Sequence, residues 1–359
     1  MRFNSFVCIL LFSSYSFSNY QYETILDNLN DAWSFVFVSE DKILYTEMPG
    51  NLKIASVKDK SITSIANVPN VQYVSQGGLS EVILDPNFKN NNKIYLTYSS
   101  KDKNGKSTLF LMSAELSQNA LVNKKIIFQA LAPRRTAVHL GAKLAFLNDG
   151  TLLLTSGDGF DHREKAQRLD NHFGKIIRIN TDGSVPKDNP FVGVEGALED
   201  IYSFGHRNMQ GLIVTSSGQI YEHEHGPKGG DEINIISPSL NYGWPAITYG
   251  IDYSGAVISP FTEKDGMEQP LLHWTPSIAP SDMIFYENDV YPELQNSFLV
   301  TALVSKDVKK VTFINDTNIQ ESIFSDLGER LRNIQNSPSG IIYLLTDGPS
   351  GKLVKVLPN

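Results

Sequence analysis

Asn91-Asn92-Lys93 runs directly into Ile94-Tyr95-Leu96-Thr97. Polar turn formers give way to β-branched, aromatic and aliphatic residues, the composition of a short strand leaving a turn. The phrase recurs along the chain. Glu40-Asp41-Lys42 precedes Ile43-Leu44-Tyr45-Thr46, and Asn148-Asp149-Gly150 precedes Leu152-Leu153-Leu154-Thr155. Ser216-Ser217-Gly218 leads into Ile220-Tyr221-Glu222-His223. Leu294-Gln295-Asn296 leads into Phe298-Leu299-Val300-Thr301, and Pro338-Ser339-Gly340 into Ile342-Tyr343-Leu344-Leu345-Thr346. Six copies at intervals of roughly 45 to 80 residues mark a repeat array with several strands per unit. Each unit has roughly 57 residues, which suits four strands and their loops. The sequence therefore predicts an all-β fold, a six-bladed β-propeller with four-stranded antiparallel blades. A pair of large β-sandwiches is the alternative. The longest interval, between the fourth and fifth copies, holds Pro238 to Pro292 and reads as an inserted loop region. In a propeller, loops at one end of a central channel gather side chains from distant blades, and function is read from those loops.

Composition sets further bounds. The chain has 359 residues, 41% of them apolar and 19% charged, enough apolar content for a substantial core. A net charge of −8 argues against a nucleic-acid partner, which wants a basic face. Met1-Arg2, the apolar run Phe6 to Phe12 and the small residues of Ser16-Phe17-Ser18 have the layout of a secretory signal peptide. Residues 1–18 are thus read as a signal peptide and 19–359 as a single propeller domain, periplasmic or secreted. No later run approaches the roughly 20 apolar residues of a membrane span, so the protein is not expected to be membrane-embedded. The single cysteine, Cys8, falls in the signal segment. A mature chain without cysteine excludes disulfides, thiolate metal sites and cysteine catalysis.

All seven histidines lie between His139 and His273, which concentrates candidate chemistry in mid-chain. His139 precedes a glycine turn in Val138-His139-Leu140-Gly141-Ala142-Lys143, where an imidazole serves either as a general base or as a hydrogen-bonded structural group. Arg207, in Gly205-His206-Arg207-Asn208, offers a planar fork of donors for a carboxylate or developing oxyanion, or is a surface arginine. In Glu222-His223-Glu224-His225, the two histidines share one strand face and the two glutamates the other. Further zinc ligands at suitable spacing are not evident. The turn Gly226-Pro227-Lys228-Gly229-Gly230 exposes carbonyls just before Asp231-Glu232, and oxygen-only ligation suits Ca2+ better. Asn241-Tyr242-Gly243-Trp244-Pro245 fits packing and a ligand wall equally.

In order, these pieces resemble the soluble sugar dehydrogenases that use pyrroloquinoline quinone (PQQ), the glucose/sorbosone dehydrogenase family, and within it the aldose sugar dehydrogenase branch. The likeness runs from about Gln76 to Lys352. It includes Gln76-Gly77-Gly78-Leu79, Asp85-Pro86-Asn87-Phe88, Gly174-Lys175-Ile176-Ile177-Arg178, Asp188-Asn189-Pro190-Phe191, Tyr249 to Gly255, Trp274 to Ser281 and Gly328-Glu329-Arg330-Leu331-Arg332. The family is a six-bladed propeller, in agreement with the repeats counted from the residues.

The resemblance implies oxidation of an aldose to its lactone by hydride transfer to PQQ. His139 would be the base for the anomeric hydroxyl, and Arg207, with Asn208 beside it, would stabilise charge on the quinone oxygen. Gln76 would touch the cofactor, and Arg330 and Arg332 would pair with its carboxylates. The carbonyls of Gly226 and Pro227 would hold a Ca2+ that also binds PQQ. Glu232 and the Tyr242 carbonyl would form a second, structural calcium site, and Trp274 would line the substrate mouth. The electron acceptor stays unspecified, and the state is monomer or homodimer. Three positions depart from the family pattern. Lys143 and Gly159 each stand where arginine is usual, and Val304 follows Ala302-Leu303 where many members place a cofactor lysine, with Lys306 two residues on. The Val304 departure motivates a second reading, a non-catalytic exported propeller that binds glycans or protein partners. A propeller lactonase would need several carboxylates and asparagines on one channel metal, a set this pattern does not assemble.

Overall fold

The computed structural model describes residues 20–314 and 317–358. The signal peptide assigned to residues 1–18, with Cys8, lies outside them. The described chain forms six four-stranded antiparallel sheets. Five blades are continuous in sequence. The first consists of Ala32–Ser39, Lys42–Glu47, Asn51–Ser56 and Ile62–Ser64. The sixth takes Leu331–Asn336, Ile342–Thr346 and Gly351–Leu357 from the C-terminal end and Gln21–Leu29 from the N-terminal end. Gln21–Leu29 pairs with Gly351–Leu357 in the register Thr24↔Val354, so ladder hydrogen bonds close the ring. The expectation of a six-bladed propeller is met.

Every copy of the repeated phrase is the second strand of its blade, flanked on both sides and therefore buried. That position explains the apolar runs. It also explains the terminal threonine. Thr46 Oγ1 donates to the carbonyl of Ser80 at 2.6 Å, and Thr97 Oγ1 to that of Ala142 at 2.8 Å. Both acceptors belong to the innermost segment of the next blade, so the hydroxyl ties blade to blade where the ring narrows. Outer strands such as Ile62–Ser64 and Thr317–Ile323 are exposed and polar. Apolar clusters fill the gaps between blades. Between the fourth and fifth lie Ile233, Leu272, Trp274, Met283, Phe298 and Val300.

Pro238 to Pro292 is only partly an insertion. Its irregular part leads up to Leu272–Trp274, the outer strand of the fourth blade, and Pro280–Tyr286 is the inner strand of the fifth. Near the axis, Lys143 Nζ reaches Glu81 at 2.5 Å and Asp282 at 2.8 Å, and stands over the Trp33 ring. One ammonium thus joins the second, third and fifth blades. Two carboxylates approaching from different sides suit a compact point charge as well as a planar fork, which accounts for lysine here. Among the described residues, no helix is long and apolar enough to cross a membrane.

Candidate active site

The loop before the third blade carries His139. Its backbone is left-handed at His139 (φ 45°), and again at Gly141 and Ala142. A non-glycine residue in this region is costly unless its surroundings hold it. Here they do. The His139 N–H donates to Gln76 Oε1 at 2.9 Å, Gly141 N–H to Asn208 Oδ1 at 3.2 Å, and Gln210 Nε2 to the Gly141 carbonyl at 3.2 Å. Beneath the loop, the fully buried Arg134 donates from Nη2 to the carbonyls of Gly157 at 2.8 Å and His139 at 3.2 Å. Residue 157 must be glycine, because a Cβ there would lie 2.3 Å from the His139 carbonyl oxygen.

His139 Nδ1 is 2.7 Å from Asp158 Oδ1. The same carboxylate accepts from the Phe160 N–H at 2.8 Å and from Trp244 Nε1 at 2.7 Å. Burial alone would raise Asp158, but the bond from His139 and the Arg207 charge hold its carboxyl below the usual range. An ionised Asp158 fixes the proton on Nδ1 and leaves Nε2 with a free lone pair. Burial pushes His139 below the ordinary histidine value, the Arg207 and Arg134 charges add to this, and Asp158 partly offsets it. The imidazole is thus a neutral, oriented base at neutral pH. Sequence reasoning missed Asp158. An aspartate placed 19 positions from His139 gives no local signal.

Two cavities adjoin this loop. One, of about 280 Å3 at the channel mouth, is bounded by Gln76, Asn208, Gln210, His225, Arg330 and Arg332, with Trp33, Leu140 and Leu303 as apolar walls. The other, of about 370 Å3, is bounded by His139, Asp158, Phe160, Arg207, Trp244 and Tyr253. Gln76, Asn208, Arg330 and Arg332 face the first, His139 and Arg207 the second. The two meet across the His139 loop and the Arg207-Asn208 pair. Arg332 donates to Asp347 Oδ1 at 2.6 Å, and Arg330 Nε to Oδ2 at 2.9 Å. Burial would raise Asp347, but the Arg332 and Arg330 charges bring it below the usual carboxylate range. Lys306 Nζ lies 3.2 Å from the Gly328 carbonyl, while Val304 is exposed.

Gly226, Glu232 and Tyr242 border a small cavity of about 10 Å3, the size of one water or ion. Burial pushes Glu232 up to about 8, and the neighbouring Glu222 and Asp231 charges add to this. Asp231 braces the carbonyl turn, accepting from the Gly226 N–H at 2.9 Å and the Ile278 N–H at 2.8 Å. An oxygen-rich pocket of this size fits Ca2+. Pro227 lies in the wall of the larger cavity. The Gly226 carbonyl accepts from Arg207 Nη1 at 2.6 Å, so any ion there shares that oxygen. The channel-mouth cavity, lined by apolar residues and carrying two guanidiniums, suits a polyanion with an apolar body such as PQQ.

Trp274 requires a correction. It is buried in the cluster between the fourth and fifth blades, with Nε1 on Gln320 Oε1 at 2.8 Å, and it faces neither cavity. It lies on an outer strand, where an aromatic seals the blade interface. Trp244 is the tryptophan at the site. Most of the clustered histidines are also structural. His172 bridges Leu131 and Asp200, and His273 stacks on Tyr249.

The family description Glucose / Sorbosone dehydrogenase matches residues 29–355. The chain belongs to the glucose/sorbosone dehydrogenase family. It is 36% identical to the aldose sugar dehydrogenase YliI of Escherichia coli, over 94% of this chain and 92% of that protein. It is 30% identical to quinoprotein glucose dehydrogenase B of Acinetobacter calcoaceticus, over 66% of this chain and 55% of that one. The crystal structure of the soluble E. coli aldose sugar dehydrogenase in its apo form superposes with a TM-score of 0.91 at 34% identity, covering 95% of this chain and all of that one.

Proposed function

We propose that this family member oxidises the anomeric carbon of aldose sugars to lactones, with PQQ as electron acceptor and Ca2+ beside it, in the periplasm or outside the cell. The observation that carries the reading is the His139–Asp158 pair, oriented with Nε2 free in a cavity that adjoins an arginine-lined channel mouth. His139 takes the proton of the sugar hydroxyl on Nε2. Asp158 holds the ring in that tautomer and stabilises the imidazolium that forms. Arg207 supplies positive charge at the junction of the two cavities. Gln76, Asn208, Arg330 and Arg332 would hold the cofactor, the two arginines, now bonded to Asp347, offering their charge to its carboxylates. PQQ, when bound, would supply a quinone as two-electron acceptor, and the Gly226 and Pro227 carbonyls would hold a Ca2+ beside it. Glu232 and the Tyr242 carbonyl hold a second, structural Ca2+.

The test is reconstitution of purified protein with PQQ and Ca2+, followed by dye reduction with a panel of aldoses. Turnover that disappears in His139→Ala is expected. If no aldose reduces dye and PQQ shows no absorbance change on titration, the chain is a binding propeller instead.

A further inference from the structure

The two glutamates of Glu222-His223-Glu224-His225 have no part in the chemistry above. They are two apart on the strand Ile220–Glu224 and project from the same side. The neighbouring strand places Asn234 opposite Glu222 and Glu232 opposite Glu224. His206, from the connection between the third and fourth blades, covers this face. All three of His206, Glu222 and Glu224 are buried, with relative exposures of 0%, 0% and 3%.

We propose that His206, Glu222 and Glu224 form a binding site for a divalent cation of the Zn2+ or Mn2+ type, next to the small cavity that Glu224 shares with Glu232 and Tyr242. Distances carry the case. His206 Nδ1 is 3.6 Å from Glu222 Oε1 and 3.8 Å from Glu224 Oε2. A hydrogen bond between such groups closes to about 2.7–3.2 Å, so neither contact is one. Ligands held about 2.0–2.2 Å from a tetrahedral ion are roughly 3.3–3.6 Å apart, close to the spacing found here. Two of the atoms concerned, His206 Nδ1 and Glu222 Oε2, are buried without a hydrogen-bond partner. Unsatisfied buried polar atoms are costly, and one ligand atom from each of His206, Glu222 and Glu224 lies within 4.8 Å of the others.

The surroundings suit a metal ligand. His206 Nε2 lies 2.9 Å from Ser203 Oγ, and in the tautomer whose Nε2–H this hydroxyl accepts, Nδ1 presents its lone pair to the carboxylates. The ring is held in plane by stacking on Tyr242. Asn234 Nδ2 donates to Glu222 Oε1 at 2.9 Å and orients that carboxylate. His206 Nδ1, Glu222 and Glu224 each offer one ligand atom, a three-residue protein set. An imidazole among them favours a borderline ion over Ca2+. Arg207 does not neutralise the two carboxylates. Its backbone N–H bonds Glu224 at 2.7 Å, but its guanidinium is taken up by the carbonyls of His225 and Gly226. An ion here locks the connection between two blades directly behind Arg207.

The experiment uses the full chain without PQQ. Protein stripped with EDTA is given excess CaCl2 and then ZnCl2 or MnCl2, and metal content and Tm are measured after removal of free ion. One retained equivalent of Zn2+ or Mn2+ and a higher Tm are expected, both lost in Glu222→Gln. Co2+ added to the wild type reports the same site by its visible absorption, whether or not the variant folds. Failure to retain Zn2+ or Mn2+ against Ca2+, or equal retention by a folded Glu222→Gln, overturns the proposal. Neither result bears on PQQ-dependent turnover, which is assayed separately.

Discussion

Arg134→Met tests the idea that one buried guanidinium holds the whole base loop. Arg134 is 1% exposed. Its donors reach the carbonyls of Ala132 at 2.7 Å, Gly157 at 2.8 Å and His139 at 3.2 Å, and its cation stands over the Phe173 ring. Burial pushes the guanidinium down to about 10, with Asp158 offsetting part of this, so it remains charged at neutral pH. Methionine keeps much of the apolar stem and removes every donor. Each orphaned carbonyl costs about 1–3 kcal/mol, partly offset because a buried charge is no longer desolvated. A net loss of about 3 kcal/mol in unfolding free energy follows. Two of those carbonyls flank the dyad, at His139 itself and immediately before Asp158. Displacing reacting groups by about 1 Å costs on the order of 100-fold, so kcat/KM should fall by about that factor. Removing the Arg134 charge also lets the His139 value rise, since that charge helps to hold it down. A base works deprotonated, so the acid limb of the kcat/KM profile should move to higher pH. Arg134→Lys keeps the charge and should leave the limb in place despite a lower rate. Denaturant unfolding and pH-dependent kinetics of both variants provide the check. A folded Arg134→Met with kcat/KM within about twofold of wild type and an unmoved limb would refute the reasoning.

Asp158→Asn keeps the shape but loses the charge that fixes the His139 tautomer, so kcat should drop by about 10²–10⁴ with little change in KM. Steady-state kinetics on reconstituted enzyme decide this. Arg332→Ala removes a partner that depresses Asp347. That pairing stabilises the fold above the ordinary carboxylate range and is lost as pH falls through the depressed value, so the variant should unfold at a higher pH in an acid titration. PQQ binding, followed by absorbance, should weaken in the same protein. Trp274→Phe should leave KM unchanged and cost about 1 kcal/mol of stability through the lost Gln320 bond, measurable by denaturant melts. Lys143→Met leaves Glu81 and Asp282 facing each other in the channel and should cost about 3–5 kcal/mol, much of it recovered when both carboxylates are also made amides.

The sequence by itself determined the blades. A second strand is hydrogen-bonded on both sides and buried, so it needs a local run of apolar residues after a turn, and local requirements leave local marks. The terminal threonine belongs to the same class, because its hydroxyl serves the same blade-to-blade role in more than one copy. Ordered motifs likewise singled out Gln76, Arg330 and Arg332, which border the channel mouth, and His139 and Arg207, which border the adjoining cavity. Only the tertiary structure decided which groups act on one another. Asp158 meets His139, Arg134 braces both, and Lys143 bridges three blades, because ring closure juxtaposes segments whose separations in sequence carry no pattern. The same cause misplaced Trp274. Two tryptophans each closely followed by a proline read alike as sequence, but Trp244 enters the site while Trp274, on an outer strand, is packed between blades. Burial, which distinguishes them, is a property of the whole ring.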